Sequence, residues 1–430
     1  MSNYKAIIAK IDTTIEIPGA ENIHIAKVLG ESVIVSKHWH EGKIGVFFPA
    51  GTQLSEEYCR MNCLYRDSEK NLDPTKKGFF EQSRRVRAQP FLKVKSEGFF
   101  AELQSMAFTG YDLTALKVGD SFEELNGIKI ANKYFNEKTL RAMGNKSTKQ
   151  RKAVETPLFV EHVDTEQFRH CMTKIQKGDL ISIQSKKHGT SARYAYTKVM
   201  FNLPKWKQFI NKFLPIFPEF KWDYVCGTRR VVLSSPEKEG FHGSEGYRFE
   251  WLEFLKPYMT KGMTIYGEIV GYANGKSIMA THSTKDLKNK AISKKYGDHV
   301  IYKYGCLEGT NKFHIYRITY TTEDGTHIDM TQAQLVQWCK DRNIEPSYDL
   351  VEPFVFDGDY EKLSALVEQL TEREDVLTED YHDPSHVSEG VIVRVDRGTL
   401  TPLFLKSKSF VFKVMEGIAS EKEVDVEDAS

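Results

Sequence analysis

Short apolar runs alternating with polar residues fill the chain from Lys5 to about Leu125. Ala6 to Ile11, His24 to Leu29, Ser32 to Ser36 and Ile44 to Phe48 each read as a half-buried strand, with Gly and Asn turns between them. That spacing predicts a small β-barrel, and an OB-like barrel is the leading form for a module joined to a larger partner. Within it, Ser83-Arg84-Arg85-Val86-Arg87-Ala88-Gln89, followed by Phe91, Lys93 and Lys95, alternates basic with apolar residues. On a strand this places several cations on one face, as a phosphate-tracking groove requires.

The pattern changes after residue 128. Residues 129–155 are polar and include the basic, breaker-rich run Asn145 to Lys152, which reads as a linker. Beyond it, helical and strand periodicities alternate. Helices are expected over Lys205 to Phe213, Glu250 to Tyr258, Gln332 to Arg342 behind a Thr331 cap, and Tyr360 to Arg373 behind Asp359. Strands are expected over Leu180 to Gln184, Arg230 to Leu233, Thr264 to Val270, Val300 to Tyr304, His314 to Tyr320, Gly390 to Val395 and Val411 to Val414. The expected organisation is an OB-like, nucleic-acid-binding module over 1–128, the linker, a mixed α+β domain over 156–418 and a frayed acidic tail over 419–430.

Length and composition narrow the class. A chain of 430 residues calls for two or three domains, and 12% aromatic with 40% hydrophobic content marks a folded protein. Lys plus Arg (60) nearly balance Asp plus Glu (59), so a nucleic-acid site must be a local patch and not a general coating. Six scattered cysteines fit free thiols in a reducing compartment. Neither His38-Trp39-His40 nor Cys59-x3-Cys63 has a standard zinc spacing. With no apolar leader and no run of bilayer length, the expected location is cytoplasmic, away from membranes and with no obligate protein partner.

The candidate chemistry centres on Ser185-Lys186-Lys187-His188-Gly189-Thr190, directly after the strand Leu180 to Gln184. A lysine three residues ahead of a turn glycine is the layout of a covalent nucleophile, which points to Lys186. Four further segments follow. Gly227-Thr228-Arg229-Arg230 offers guanidinium forks for phosphate. Tyr266-Gly267-Glu268 sets an aromatic face and a carboxylate around a glycine. Glu389-Gly390 places a carboxylate at the mouth of an apolar strand, and Leu405-Lys406-Ser407-Lys408 returns two lysines on one side of an extended segment.

The order of these segments resembles motifs I, Ia, III, IV and V of the covalent nucleotidyltransferases, the polynucleotide ligases and messenger RNA capping enzymes. Phe313-His314-Ile315-Tyr316 resembles the aromatic motif IIIa. The Lys-x-His-Gly-Thr form is similar to that of RNA ligases, and so is a barrel-like module placed first with only a short stretch after Lys406. The resemblance implies an OB-like barrel followed by an α+β nucleotidyltransferase domain of ATP-grasp-like ligase type. It implies an ATP-dependent RNA ligase using Mg2+ or Mn2+ on RNA or an RNA-containing nicked duplex. By the same resemblance Lys186 would be the nucleophile, with Lys406 and Lys408 on the AMP phosphate. Gly189, Tyr266, Glu268 and Phe313 would bind the nucleotide, Arg229 the RNA end, and Glu389 a metal. Ser185 departs from relatives that carry Glu before the lysine. A GTP-using capping-type transferase and an inactive nucleic-acid-binding protein of the same fold remain open alternatives.

Overall fold

The computed structural model describes residues 4–422 except 92–93, 136–154, 238, 241–242, 280–281, 285–292, 295 and 373–387. Two compact units emerge. The first comprises Met1–Lys138, Glu166–Met172 and Lys408–Val424, and the second Thr139–Thr165, Thr173–Ser407 and Asp425–Ser430.

In the first unit, β1 (Ala6–Glu16), β2 (Ile23–Val28), β3 (Glu31–Ser36), β4 (Ile44–Pro49) and β5 (Gly98–Ala101) lie antiparallel in the order β3-β2-β1-β4-β5. The first half of β1 pairs with β4 and the second half with β2. A register shift between Ile11 and Thr13 lets one strand serve both neighbours, because a bulge bends the strand and raises its twist. Both faces are covered. Ile8, Val46 and Phe48 pack on one side, and Ile11, Val33, Trp39, Phe47 and Phe100 on the other.

Three expectations change here. The segment Ser83 to Ala88 is no regular strand: Arg84 takes φ 53°, its Nε donates to the Leu54 carbonyl, and it sits 3.9 Å from Glu56. Arg85 stacks over Tyr134 and Arg87 pairs with Glu81 at 2.8 Å, yet both arginines line one groove with Phe79 and Phe99. At the start of the expected linker, Ala131–Lys133 forms a strand paired with Thr52–Leu54; residues 136–154 fall outside the described part. The strand expected over Val411 to Val414 is instead helix Phe410–Lys422, and Ser409 Oγ accepts from the Phe412 amide at its start. A short apolar run fits either period, and the cap decides it. That helix also takes in the first residues of the expected tail, while residues 423–430 lie outside the described part.

The same unit holds a buried ion network. Arg169 Nη1 lies 3.1 Å from Glu31 and 3.5 Å from Glu97, and Lys413 Nζ lies 3.3 Å and 2.9 Å from the same two carboxylates.

The second unit contains two sheets. In the larger, β7 (Thr190–Met200), β8 (Phe220–Gly227), β9 (Met263–Ala273) and β10 (Asn311–Thr321) run antiparallel in the order β8-β7-β9-β10. In the smaller, β6 (Leu180–Ser185), β11 (Gly390–Asp396) and β12 (Leu403–Lys408) take the order β12-β11-β6, with Phe354–Val355 beyond β6. Helices Gly246–Leu255 and Gln332–Lys340 supply Leu252, Leu255, Leu335 and Trp338 to a core with Tyr194, Ile265, Ile269, Phe313 and Ile315. The second helix opens on a capping box made by Thr331 and Gln334. The strand expected over Val300 to Tyr304 shrinks to His299–Val300, and Tyr304 adopts φ 48°, which no strand residue takes. No described helix is long and apolar enough to cross a membrane.

Candidate active site

Lys186 to Gly189 is the turn that carries the chain from the smaller sheet to the larger, since β6 belongs to one and β7 to the other. Between the sheets opens a cavity. Its walls include Ser185 and Lys186 after β6, Ser191 on β7, Tyr266 and Glu268 on β9, Tyr316 and Arg317 on β10, Ile392 on β11 and Phe404 on β12.

Strand register puts the reactive groups together. The β6–β11 ladder ends with Ser185 opposite Val391, and the Lys186 amide donates to the Gly390 carbonyl at 2.9 Å. Glu389 therefore stands beside Lys186, and Lys186 Nζ reaches Glu389 Oε1 at 2.7 Å. Gly390 holds φ 139°, a conformation that side chains rarely adopt, so the chain can swing into β11 only with glycine there. The Glu389 side chain is 2% exposed and that of Lys186 is 21%, so the amine alone of the two meets solvent. His188 Nδ1 lies 3.7 Å from the other Glu389 oxygen.

Gly189 meets a different demand from the one its motif suggests. A Cβ there would stand 2.4 Å from the Ile269 carbonyl and 2.9 Å from Glu268 Cγ. The close approach is thus to β9, which pairs with β7 from Thr190↔Ile269 onward, and it brings Glu268 against the turn. Ser191 Oγ donates to Glu268 Oε2 at 3.2 Å.

The two aromatic expectations separate. Tyr266 lines the cavity, but its hydroxyl donates to the Val160 carbonyl and the Arg317 guanidinium sits 5.0 Å over its ring. Phe313 does not line it: 2% exposed, it packs edge-on to Tyr194 and against Trp251 in the core. Alternation along β10 explains this, because Phe313 and Ile315 share the core face while Tyr316 takes the other and reaches the cavity. Gly267 follows from the same packing, since a Cβ on it would lie 2.4 Å from the Phe313 ring.

Arg229 borders the cavity with Nη2 at 2.8 Å from Asp164 Oδ1. Burial pushes the Asp164 carboxyl up, but hydrogen bonding and charge from Arg229 outweigh it and leave the group below its usual range. On β12, Phe404, Lys406 and Lys408 alternate onto one face, and Phe404 lines the cavity. Lys408 is bound by Glu416 at 2.7 Å and rests over Phe412. Lys187, the neighbour of the candidate nucleophile, is buried with Nζ 5.3 Å over the Tyr304 ring. Burial lowers its pKa to about 7, with Glu345 opposing and Lys312 adding to the shift.

Several residues here carry no motif signal. His162 lines the cavity, its Nδ1 hydrogen-bonded to the Tyr316 hydroxyl and its ring edge-on to Tyr266. Burial, then the charges of Arg193, Arg229 and Arg317, hold it well below its ordinary pKa, so it is a neutral imidazole. Buried Arg193 ties the Thr228 and Phe159 carbonyls to β7 at 2.9 and 3.1 Å. Buried Arg248, paired with Glu245, hydrogen-bonds Thr190 Oγ1 and so fixes the exit of the lysine turn. Single arginines inside ordinary helices and strands have no sequence mark, and only the fold shows what they hold.

No family model matches the chain, and no curated protein sequence matches it. Solved structures do. A variant of Naegleria gruberi RNA ligase with AMP and Mn superposes with TM-score 0.58 at 16% identity, covering 95% of this chain and 97% of that one. A second variant with ATP and Mn gives 0.57 at 16% identity over 95% and 98%, and the ligase with PPi gives 0.56 at 16% over 95% and 97%. The likeness spans both units and shows a shared fold.

Proposed function

We propose that this chain is an ATP-dependent RNA ligase that joins a 3′-hydroxyl to a 5′-phosphate, with Lys186 as the nucleophile. The observation that carries the reading is the Lys186–Glu389 pair at 2.7 Å, with Lys186 and Glu268 lining one cavity. The Naegleria enzyme, captured with ATP, AMP, Mn and PPi, supports it by fold.

In the first step the Lys186 amine attacks the α-phosphorus of ATP: the N–P bond forms, the bond to the bridging oxygen breaks, and pyrophosphate leaves. The RNA 5′-phosphate then takes AMP from the lysine, and the 3′-hydroxyl displaces AMP to form the phosphodiester. Lys186 must be neutral to attack, so its proton has to pass out along Glu389 or to solvent. Glu389 presents carboxylate oxygens of the kind a hydrated Mg2+ or Mn2+ accepts, and a cation there would supply positive charge beside the amine and the phosphate. Glu268 would hold the ribose, while Tyr316, Tyr266 and neutral His162 would meet the base end. Arg229 would take an RNA-end phosphate, and Lys406 the AMP phosphate. Lys408 would share that role only by leaving Glu416.

The first unit we read as the OB-like RNA-gripping module. A cavity in it combines Phe79 and Phe99 with Arg66, Arg85 and Arg87, rings and cations suited to a nicked duplex or strand. The six cysteines, all free, accord with a cytoplasmic location.

The test is adduct formation with labelled ATP, mapped by peptide mass spectrometry. Lys186→Ala should abolish the covalent AMP and Lys187→Ala should retain it. An adduct on Lys187, or one formed from GTP in preference to ATP, would overturn the assignment. Sealing of nicks with RNA or DNA at the 3′-hydroxyl end then tests the RNA requirement.

A further inference from the structure

The β7–β8 hairpin starts at the lysine turn and ends far from it. β7 leaves Thr190 beside the cavity, β8 returns to Gly227 just before Arg229, and the pair stays zipped from Arg193↔Gly227 to Met200↔Phe220. Ten residues at about 3.3 Å each carry the connection 201–219 roughly 33 Å from the reactive end.

That connection exposes three large aromatic rings. Trp206 is 56% exposed, Phe209 64% and Phe213 77%. It is a built platform. Asn211 brackets Phe217 with hydrogen bonds to its amide (3.0 Å) and carbonyl (2.7 Å), and Gln208 ties to the Leu203 carbonyl. The rings prop one another edge-on, Trp206 against Phe217 and Phe209 against Phe213. Lys205, Lys207 and Lys212 are interleaved with them, and Lys207 sits over both Trp206 and Phe217. From Phe201 to Phe220 the sequence has one acidic residue, Glu219, which accepts from Asn211.

We propose that this hairpin tip is a stacking platform for single-stranded RNA, gripping the body of the strand while its end is processed about 33 Å away. Exposed rings stack bases whatever their sequence, and interleaved lysines meet the phosphates. Charge selects this occupant. A second copy docked through a twofold axis would set lysines against lysines, with one carboxylate per copy to offset them. The inference rests on the proposed function only in taking RNA as the substrate class.

The experiment uses the full chain and fluorescent 5′-phosphorylated single-stranded RNAs of roughly 6 and 24 nucleotides, bracketing common single-strand site sizes. The triple variant Trp206→Ala, Phe209→Ala, Phe213→Ala should weaken binding of the long RNA at least about tenfold to a hundredfold, the loss expected from one stacked base. It should leave the short RNA and the rate of Lys186 adenylylation unchanged. Lys205→Gln, Lys207→Gln, Lys212→Gln, which removes only surface charge, should lower the slope of log affinity against log salt by about 2 to 3. Unchanged long-RNA affinity in both variants, with the adduct still forming, overturns the platform and leaves the proposed function standing. Failure of the unsubstituted chain to form the adduct while it still binds long RNA through these rings overturns the proposed function and keeps the platform. Ring-dependent sedimentation with phosphatidylserine vesicles in place of RNA binding, or a dimer that dissociates in the aromatic variant, overturns the platform in favour of a membrane or a second copy.

Discussion

In the first unit Glu31, Glu97, Arg169 and Lys413 form a closed ring of alternating charge, and in the second Lys186, His188 and Glu389 form an open one. Both bury carboxylates almost completely. The closed ring draws its members from four distant stretches of chain, and each carboxylate meets two cations, so its desolvation is offset within the protein. The open ring comes from one strand register, and its lysine faces a cavity. Closure makes charge structural; a lysine that borders a cavity can change partners.

The largest effect that would break this contrast is loss of a cation from the closed ring. Lys413→Met should cost about 3–5 kcal/mol in urea unfolding, because two buried like charges lose half of their compensation. AMP adduct per folded molecule should stay unchanged. Burial raises the Glu31 pKa, but Lys413 and Arg169 more than reverse it, so the folded value is lowered. Its contribution is therefore full above the unfolded value of about 4.3 and is lost as pH falls through the folded value. Acid unfolding of the variant should begin at higher pH than in the parent, and coincident acid curves would show that the ring does not act as a unit.

Next comes the open ring. Glu389→Gln keeps the shape and removes the charge, so adduct formation should slow by about a hundredfold, near 2.7 kcal/mol of barrier. Unfolding should change little, since Lys186 can turn to solvent. A large stability loss with normal adduct rates would make Glu389 a structural residue like Glu31.

A third effect, spread over pH, concerns Lys187, which has neither arrangement. Its pKa falls from 10.5 unfolded to about 7 folded, so between those values the unfolded chain binds more protons and stability rises with pH. The slope should reach at most about 1.4 kcal/mol per pH unit and should vanish in Lys187→Met. An identical slope in the variant would mean that Lys187 stays charged in the fold.

The sequence carried the lysine turn, the Glu389 and Lys406 segments and strands β9 and β10 of the larger sheet, because period-two alternation and glycine punctuation are local signals; β7 and β8 went unread. It misplaced what depends on a neighbour. Phe313 looked like a nucleotide contact until β10 pairing set its face, and Tyr316 held the cavity position three residues on. Val411 to Val414 had a strand's composition and a helix's cap. Arg193, Arg248 and His162 gave no signal at all, since a buried polar side chain is recognisable only by the groups it satisfies.

Gly267 has a consequence for tracing ancestry. A Cβ there would meet the Phe313 ring at 2.4 Å and the His314 carbonyl at 2.5 Å, so a smaller residue at 313 would free only part of the space and the backbone would still exclude a side chain. Glycine at 267 is therefore demanded by the β9–β10 pairing itself, whatever stands at 313. A search for distant kin should hold column 267 rigid and let column 313 drift.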